Sequence, residues 1–130
     1  MSVQTILIVD DSPSMRQLIA GELSRAGFQI VEAIDGGDAV DRLETMGEIH
    51  LALVDLNLPK LDGIGVIRAL RLSERTRSIP LVVVSTAVRR ERREEARRAG
   101  ATGWIVKPFR PGIVLRVVRT LLGPSAGEGS

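Results

Sequence analysis

Three short stretches of this chain are apolar at every position: ILIV at residues 6–9, LALV at 51–54 and LVVV at 81–84. A strand exposed on one face alternates apolar with polar residues, so a strand with no polar position needs cover on both faces. Helices supply such cover, and segments with apolar residues at helical spacing lie between the stretches. Strand and helix alternate five times, with strands expected over residues 5–10, 29–33, 51–55, 81–85 and 103–106. Strict alternation predicts an α/β chain, a (βα)5 doubly wound sheet of five parallel strands. With 130 residues, 44% of them hydrophobic, the chain has material for one domain with a full core.

The helices carry their own punctuation. The first has Met15, Leu18, Ile19, Leu23 and Ala26 on one buried stripe, Ser12 as N-cap, Pro13 at the first helical position and Gly27 to end it. Asp35 caps a second helix, which turns Ala39, Val40, Leu43 and Met46 inward. Gly63 gives a turn before a third, which carries Ile64, Ile67, Leu70 and Arg71 and stops before Pro80. A fifth starts at Pro111 and buries Val114, Leu115, Val118, Leu121 and Leu122. The fourth, RRERREEARRAG at residues 89–100, is nearly all charge. Only Val88, Ala96 and Ala99 offer it apolar contacts, so burial anchors it weakly. Glu94 and Arg98 are a favourable i,i+4 pair there, whereas Arg89, Arg93 and Arg97 repel in sequence. The domain is expected over residues 1–122, followed by a tail, GPSAGEGS at 123–130, with the composition of a disordered segment.

Composition removes several function classes. No apolar run approaches the ~20 residues that cross a bilayer. The opening MSVQT does not match a signal peptide, so a cytoplasmic protein without membrane contact is expected. Absence of cysteine excludes disulfides, thiolate metal sites and a cysteine nucleophile. The net charge is only +2, and the aromatics are Phe28, Trp104 and Phe109 alone, so neither charge nor stacking favours nucleic acid. Glu91, Glu94 and Glu95 also dilute the positive charge of the fourth helix.

In doubly wound sheets, ligands bind beyond the carboxyl ends of the strands, where the strand order switches. Polar residues collect at those ends: Asp10 and Asp11 after the first strand, Asp55 after the third, Ser85 after the fourth and Lys107 after the fifth. If the first and third strands are neighbours, as in a 2-1-3-4-5 order, three carboxylates converge. Like charges so close need a cation between them. Oxygen donors without cysteine or a nearby histidine select a hard one, most simply Mg²⁺. A lysine and a hydroxyl beside them suit a phosphoryl group being transferred to a carboxylate. Each residue alone has a plainer reading: Asp10 and Asp11 as a helix cap, Asp55 as a turn acid, Ser85 as structural, Lys107 as a solvated cation. Yet 16 of the 18 basic residues are arginine, Lys60 and Lys107 being the exceptions. Together the polar strand ends outweigh the plain readings.

Taken in order, ILIVDDS, LALVDLNLPKLDG, IPLVVVSTA and GATGWIVKPF resemble the motifs of the receiver (phosphoacceptor) domain of two-component response regulators. The resemblance covers about residues 4–122, and the spacing agrees: Ser85 lies 30 residues after Asp55, and Lys107 22 after Ser85. It implies the flavodoxin-like order 2-1-3-4-5. It implies that Asp55 is the nucleophile phosphorylated by a histidine kinase. Mg²⁺ would be held by Asp11 directly, by Asp10 through bound water, by Asp55 and by the Asn57 carbonyl. Ser85 would bond the phosphoryl group and couple it to the domain. Lys107 would contact the phosphoryl oxygens or, before phosphorylation, the carboxylate. Pro108 would follow a cis peptide, tolerable because residue 108 is proline. Trp104 falls at the aromatic switch position, where a half-buried packing role is the alternative. Asn57 and Ala87 occupy positions that tune hydrolysis, and Ala87 cannot position water, which implies a longer-lived phosphoryl group. His50 stands where the family more often has an acid and receives no role. Thr86 departs from the small residue usual after the sensing hydroxyl, which leaves two candidates; spacing favours Ser85.

The implied function is a signalling switch, an enzyme only toward its own phosphorylation and dephosphorylation. DDSPSMR and GATGWIVKPF are most similar to the stand-alone chemotaxis type. That implies an output protein docking on the fourth helix, fifth strand and fifth helix, such as a flagellar motor switch protein, with the charged fourth helix shifting on phosphorylation. A phosphorelay intermediate, a phosphate sink and a receiver cut from a longer regulator stay open. An aspartate-nucleophile phosphohydrolase would need a D-x-D at the first strand end and a capping insertion, and the chain has neither.

Overall fold

A computed structural model of the protein describes residues 3–58, 62–86 and 88–123. Strands and helices alternate throughout: β1 (Thr5–Val9), α1 (Pro13–Arg25), β2 (Gln29–Ala33), α2 (Gly36–Arg42), β3 (Leu51–Val54), α3 (Gly63–Leu72), β4 (Leu81–Thr86), α4 (Arg90–Ala99), β5 (Gly103–Lys107) and α5 (Ile113–Leu122). The strands pair in parallel in the order β2-β1-β3-β4-β5, the doubly wound arrangement expected from the sequence.

The apolar strands are buried because both faces of the sheet are covered. Leu7, Val9, Ala52, Val54, Leu81 and Val83 pack toward α2, α3 and α4, with Ala39, Ile64, Ile67 and Ala96 above them. Their sequence neighbours Ile6, Ile8, Leu51, Leu53, Val82 and Val84 pack toward α1 and α5, against Ile19, Leu23, Val114 and Val118. The two-residue period of a strand therefore divides one apolar run between two cores.

Local chemistry sets the element ends. Ser12 Oγ accepts from the Met15 amide at 3.3 Å, and Pro13 opens α1, whose Ile19 and Leu23 are buried while Leu18, expected inside, is exposed. Asp35 Oδ1 accepts from the Asp38 amide at 2.8 Å. Three ends differ from expectation. Asp62 caps α3, its Oδ1 accepting from the amides of Ile64 at 2.8 Å and Gly65 at 3.3 Å, so Gly63 is the first helical residue instead of a turn. Helix α2 ends at Arg42, and Leu43 and Met46 follow it in turns while still packing on the core. Helix α5 begins at Ile113, because Gly112 takes a left-handed φ of 87° and breaks the approach from Pro111. In α4, Glu94 pairs with Arg90 at 3.1 Å and not with Arg98. Ala87 and the tail from residue 124 lie outside the described residues.

Candidate functional site

The register brings the acids together. Val9 stands opposite Val54, so the residues that follow, Asp10 and Asp55, leave the sheet side by side. Main-chain bonds continue the ladder through both: the Asp10 amide donates to Ala33 O at 3.2 Å and the Asp55 amide to Val9 O at 2.9 Å. Asp10 and Asp55 are buried and Asp11 is exposed. One carboxylate oxygen from each lies within 4.8 Å of the others.

Lys107 reaches this cluster from the end of β5. Its Nζ donates to Asp10 Oδ2 at 2.9 Å and Asp55 Oδ2 at 3.2 Å. The peptide between Lys107 and Pro108 is cis. Burial alone would lower the Lys107 pKa, but the bond to Asp10 and the charges of Asp10 and Asp55 outweigh it and hold the ammonium above its ordinary value. The remaining oxygens are also engaged. Asp10 Oδ1 accepts from the Ser12 amide at 2.9 Å, and Asp55 Oδ1 from the Asn57 amide at 3.0 Å. Three carboxylates against one ammonium leave two negative charges unbalanced, a donor set of oxygens that fits a divalent hard cation.

Asn57 turns toward the end of β4. Its Nδ2 lies 3.5 Å from Ser85 Oγ and 3.3 Å from Thr86 Oγ1, which puts both candidate hydroxyls beside the cluster. Ser85 is fully buried and Thr86 exposed. Trp104 is not in this group. It sits half-buried on β5, packs on the core beneath α4, and carries the Arg93 guanidinium 5.0 Å from its ring centroid. A hollow of about 260 Å³ between α4 and β5 is lined by Arg93, Arg97, Thr102 and Trp104 among others.

Other residues at the site escaped the sequence reading. Gly63 lies against the loop after Asp55: a methyl group there would overlap the Asp55 carbonyl oxygen and the Leu56 Cα. Arg92 Nη2 donates to Leu56 O at 3.3 Å, linking α4 to the same loop. Arg16 Nη1 donates to Asp10 O at 2.6 Å. At the opposite end of the sheet, His50 accepts the Thr5 amide on Nδ1 at 2.9 Å, and its own amide donates to Thr5 O at 2.9 Å. His50 thus extends the β1–β3 pairing and stands apart from the acids. The DG pair at 62–63 was the one available signal for close packing, since glycine is used where backbones approach.

The chain matches the family model described as the response regulator receiver domain over residues 6–119. It is 31% identical over 119 residues to the chemotaxis protein CheY1 of Helicobacter pylori, covering 91% of this chain and 96% of that one. The chemotaxis protein CheY4 of Vibrio cholerae superposes with a TM-score of 0.87 at 30% identity, over 93% of this chain and 100% of that one. The receiver domain of a sensor histidine kinase from Pseudomonas aeruginosa, solved with a magnesium ion coordinated in its active-site cleft, superposes with a TM-score of 0.83 at 29% identity, over 94% and 99% of the two chains. Among the described residues, no helix is long and apolar enough to cross a membrane.

Proposed function

The chain belongs to the response regulator receiver domain family of two-component signalling, and from that premise we propose that it is a phosphoacceptor switch charged at Asp55 by a histidine kinase. The observation that carries this reading is Asp55 itself, a residue 6% exposed whose carboxylate is held between Lys107 and the Asn57 amide beside two further acids. In the proposed step, an Asp55 oxygen attacks the phosphorus of a phosphohistidine, the P–N bond breaks, and the imidazole leaves and takes up a proton. Lys107 is placed to offset charge on the phosphoryl oxygens as it moves away from the Asp55 carboxylate. Asp10, Asp11, Asp55 and the Asn57 carbonyl would hold Mg²⁺, which supplies charge neutralisation to the phosphoryl oxygens when bound.

Ser85 is the proposed sensing hydroxyl. Ser85 is fully buried with its hydroxyl facing Asn57, whereas exposed Thr86 can turn to solvent. The response would pass to Trp104 and to the α4–β5–α5 surface, where an output protein docks. Relatives that are chemotaxis proteins favour an output in motility, including a flagellar motor switch protein. The likeness to a receiver domain of a histidine kinase keeps a phosphorelay intermediate as the second reading.

Labelling by acetyl phosphate tests the core of this function. Phosphorylation that requires Mg²⁺ and disappears in Asp55→Asn is the expected result; undiminished labelling of Asp55→Asn would sink it. Comparing Ser85→Ala with Thr86→Ala then decides the hydroxyl, the larger loss of coupling being expected in Ser85→Ala.

A further inference from the structure

We propose that Arg16 is a positioning residue for the cation site, holding the peptide plane that aims Asp11. The inference rests on reading the acidic cluster as that site.

Asp10 is bonded at every polar atom. Its amide donates to Ala33 O, its Oδ1 accepts from Ser12, its Oδ2 accepts from Lys107, and its carbonyl accepts from Arg16 Nη1 at 2.6 Å. Asp11 is different: its side chain is exposed, so the direction of its carboxylate depends on the backbone that carries it. The Asp10 carbonyl and the Asp11 amide belong to one rigid peptide unit. A bond that orients the carbonyl therefore orients the Cα of Asp11 as well.

Arg16 is built for this task and is not a solvated cation. Its side chain is only 13% exposed, and its Nε donates to Glu32 Oε1 on β2 at 3.2 Å. The planar guanidinium thus serves two acceptors at a fixed relative angle, one on β2 and one at the end of β1. Glu32 also balances the guanidinium charge, which would otherwise oppose a cation bound beside Asp10.

Three roles for Arg16 predict different results. A purely structural tie between α1 and β2 changes stability and leaves cation affinity alone. A purely electrostatic role predicts tighter cation binding once the positive charge is removed. Positioning predicts weaker binding, opposite in sign to the electrostatic effect.

The experiment titrates the unphosphorylated protein with MgCl₂ and follows backbone amide shifts near residues 10–12 and 55, with thermal melts as a check on folding. Arg16→Gln should bind Mg²⁺ roughly ten-fold more weakly, the range found when groups that orient metal ligands are removed. Arg16→Lys should recover part of that loss, because one of the two bonds can reform. Glu32→Ala, which keeps Arg16 but removes the acceptor that anchors it, should show a smaller loss. Wild-type or tighter affinity in Arg16→Gln overturns the proposal; should that variant not fold, wild-type affinity in Glu32→Ala overturns it instead. Equal Mg²⁺ binding by the wild type and Asp11→Asn overturns the cation-site reading itself. Loss in Asp11→Asn without loss in Arg16→Gln overturns only the role of Arg16.

Discussion

Helices α3 and α4 lie against each other on one face of the sheet and have the same length of 10 residues, yet different forces hold them. Helix α3 buries Gly63, Ile64, Val66, Ile67 and Leu70, whereas α4 buries only Ala96. Full burial of one aliphatic side chain stabilises by about 1.5–3 kcal/mol, so α3 is held many times more firmly by apolar contact. Helix α4 is held at its ends. Near its start, Arg92 bonds Leu56 O at 3.3 Å and pairs with Asp62 at 3.6 Å. Past its last turn, Arg71 of α3 donates twice to Gly100 O, at 3.1 and 2.8 Å, and once to Ile79 O at 2.7 Å. Burial lowers the Arg71 pKa from its ordinary value. Apolar burial resists displacement in every direction; a few directional bonds let a helix move once one of them changes. Both helices touch the loop that follows Asp55, α3 through the Gly63 backbone and α4 through Arg92, and of the two the weakly packed α4 is the easier to displace.

The largest expected effect tests the firm side of the contrast. Ile67→Ala should cost about 2–5 kcal/mol in denaturant unfolding. A loss no larger than that from an exposed α4 substitution would break the comparison. Next comes Arg71→Met, which strands the Gly100 and Ile79 carbonyls and should cost about 1–3 kcal/mol. Amide exchange should accelerate over residues 96–102 and leave α3 unchanged; equal acceleration in both helices would show that they are one cooperative unit. Arg92→Gln should change stability by about 1 kcal/mol or less, because its pair with Asp62 is long, at 3.6 Å, and open to solvent on the Asp62 side. Its signature would be faster exchange at residues 89–93, and added salt should reproduce part of it.

The smallest effect extends the contrast to α2 on the same face. The Ile34 amide, at 3.0 Å, and Arg42 behind it hold the Asp38 carboxyl below its ordinary 3.8. A depressed pKa means that this contribution is complete above pH 3.8 and is lost as the pH falls through the lowered value. Asp38→Asn should flatten the acid limb of the stability curve slightly and spare α3 throughout. A pH response in α3 of equal size would contradict the assignment.

Much of the molecule was legible because its signals are local or collective. Ser12 and Asp35 announce helix starts by residue type alone. The acids at positions 10, 11 and 55 were legible as a set because strand ends of a parallel sheet share one side. Other features needed partners far away in sequence. Arg71 read as one more inward position of α3, and nothing in its neighbourhood pointed to Gly100, 29 residues on. Arg16 closed a motif without an assigned partner until β2 brought Glu32 beside it. The pairing of Glu94 with Arg90 instead of Arg98 was a choice between two equally spaced partners, and spacing cannot rank them.

By itself the sequence determined the alternation of strands and helices, the two-sided burial of the sheet and the collection of acids, hydroxyl and lysine at its carboxyl end. These follow from residue type and period, which every copy of the chain carries before it folds. Only the tertiary structure decided which main-chain groups the arginines bind, why residue 63 has no side chain, and which oxygens Lys107 joins. Those are distances between segments remote along the chain, and packing sets them only once the whole sheet has closed.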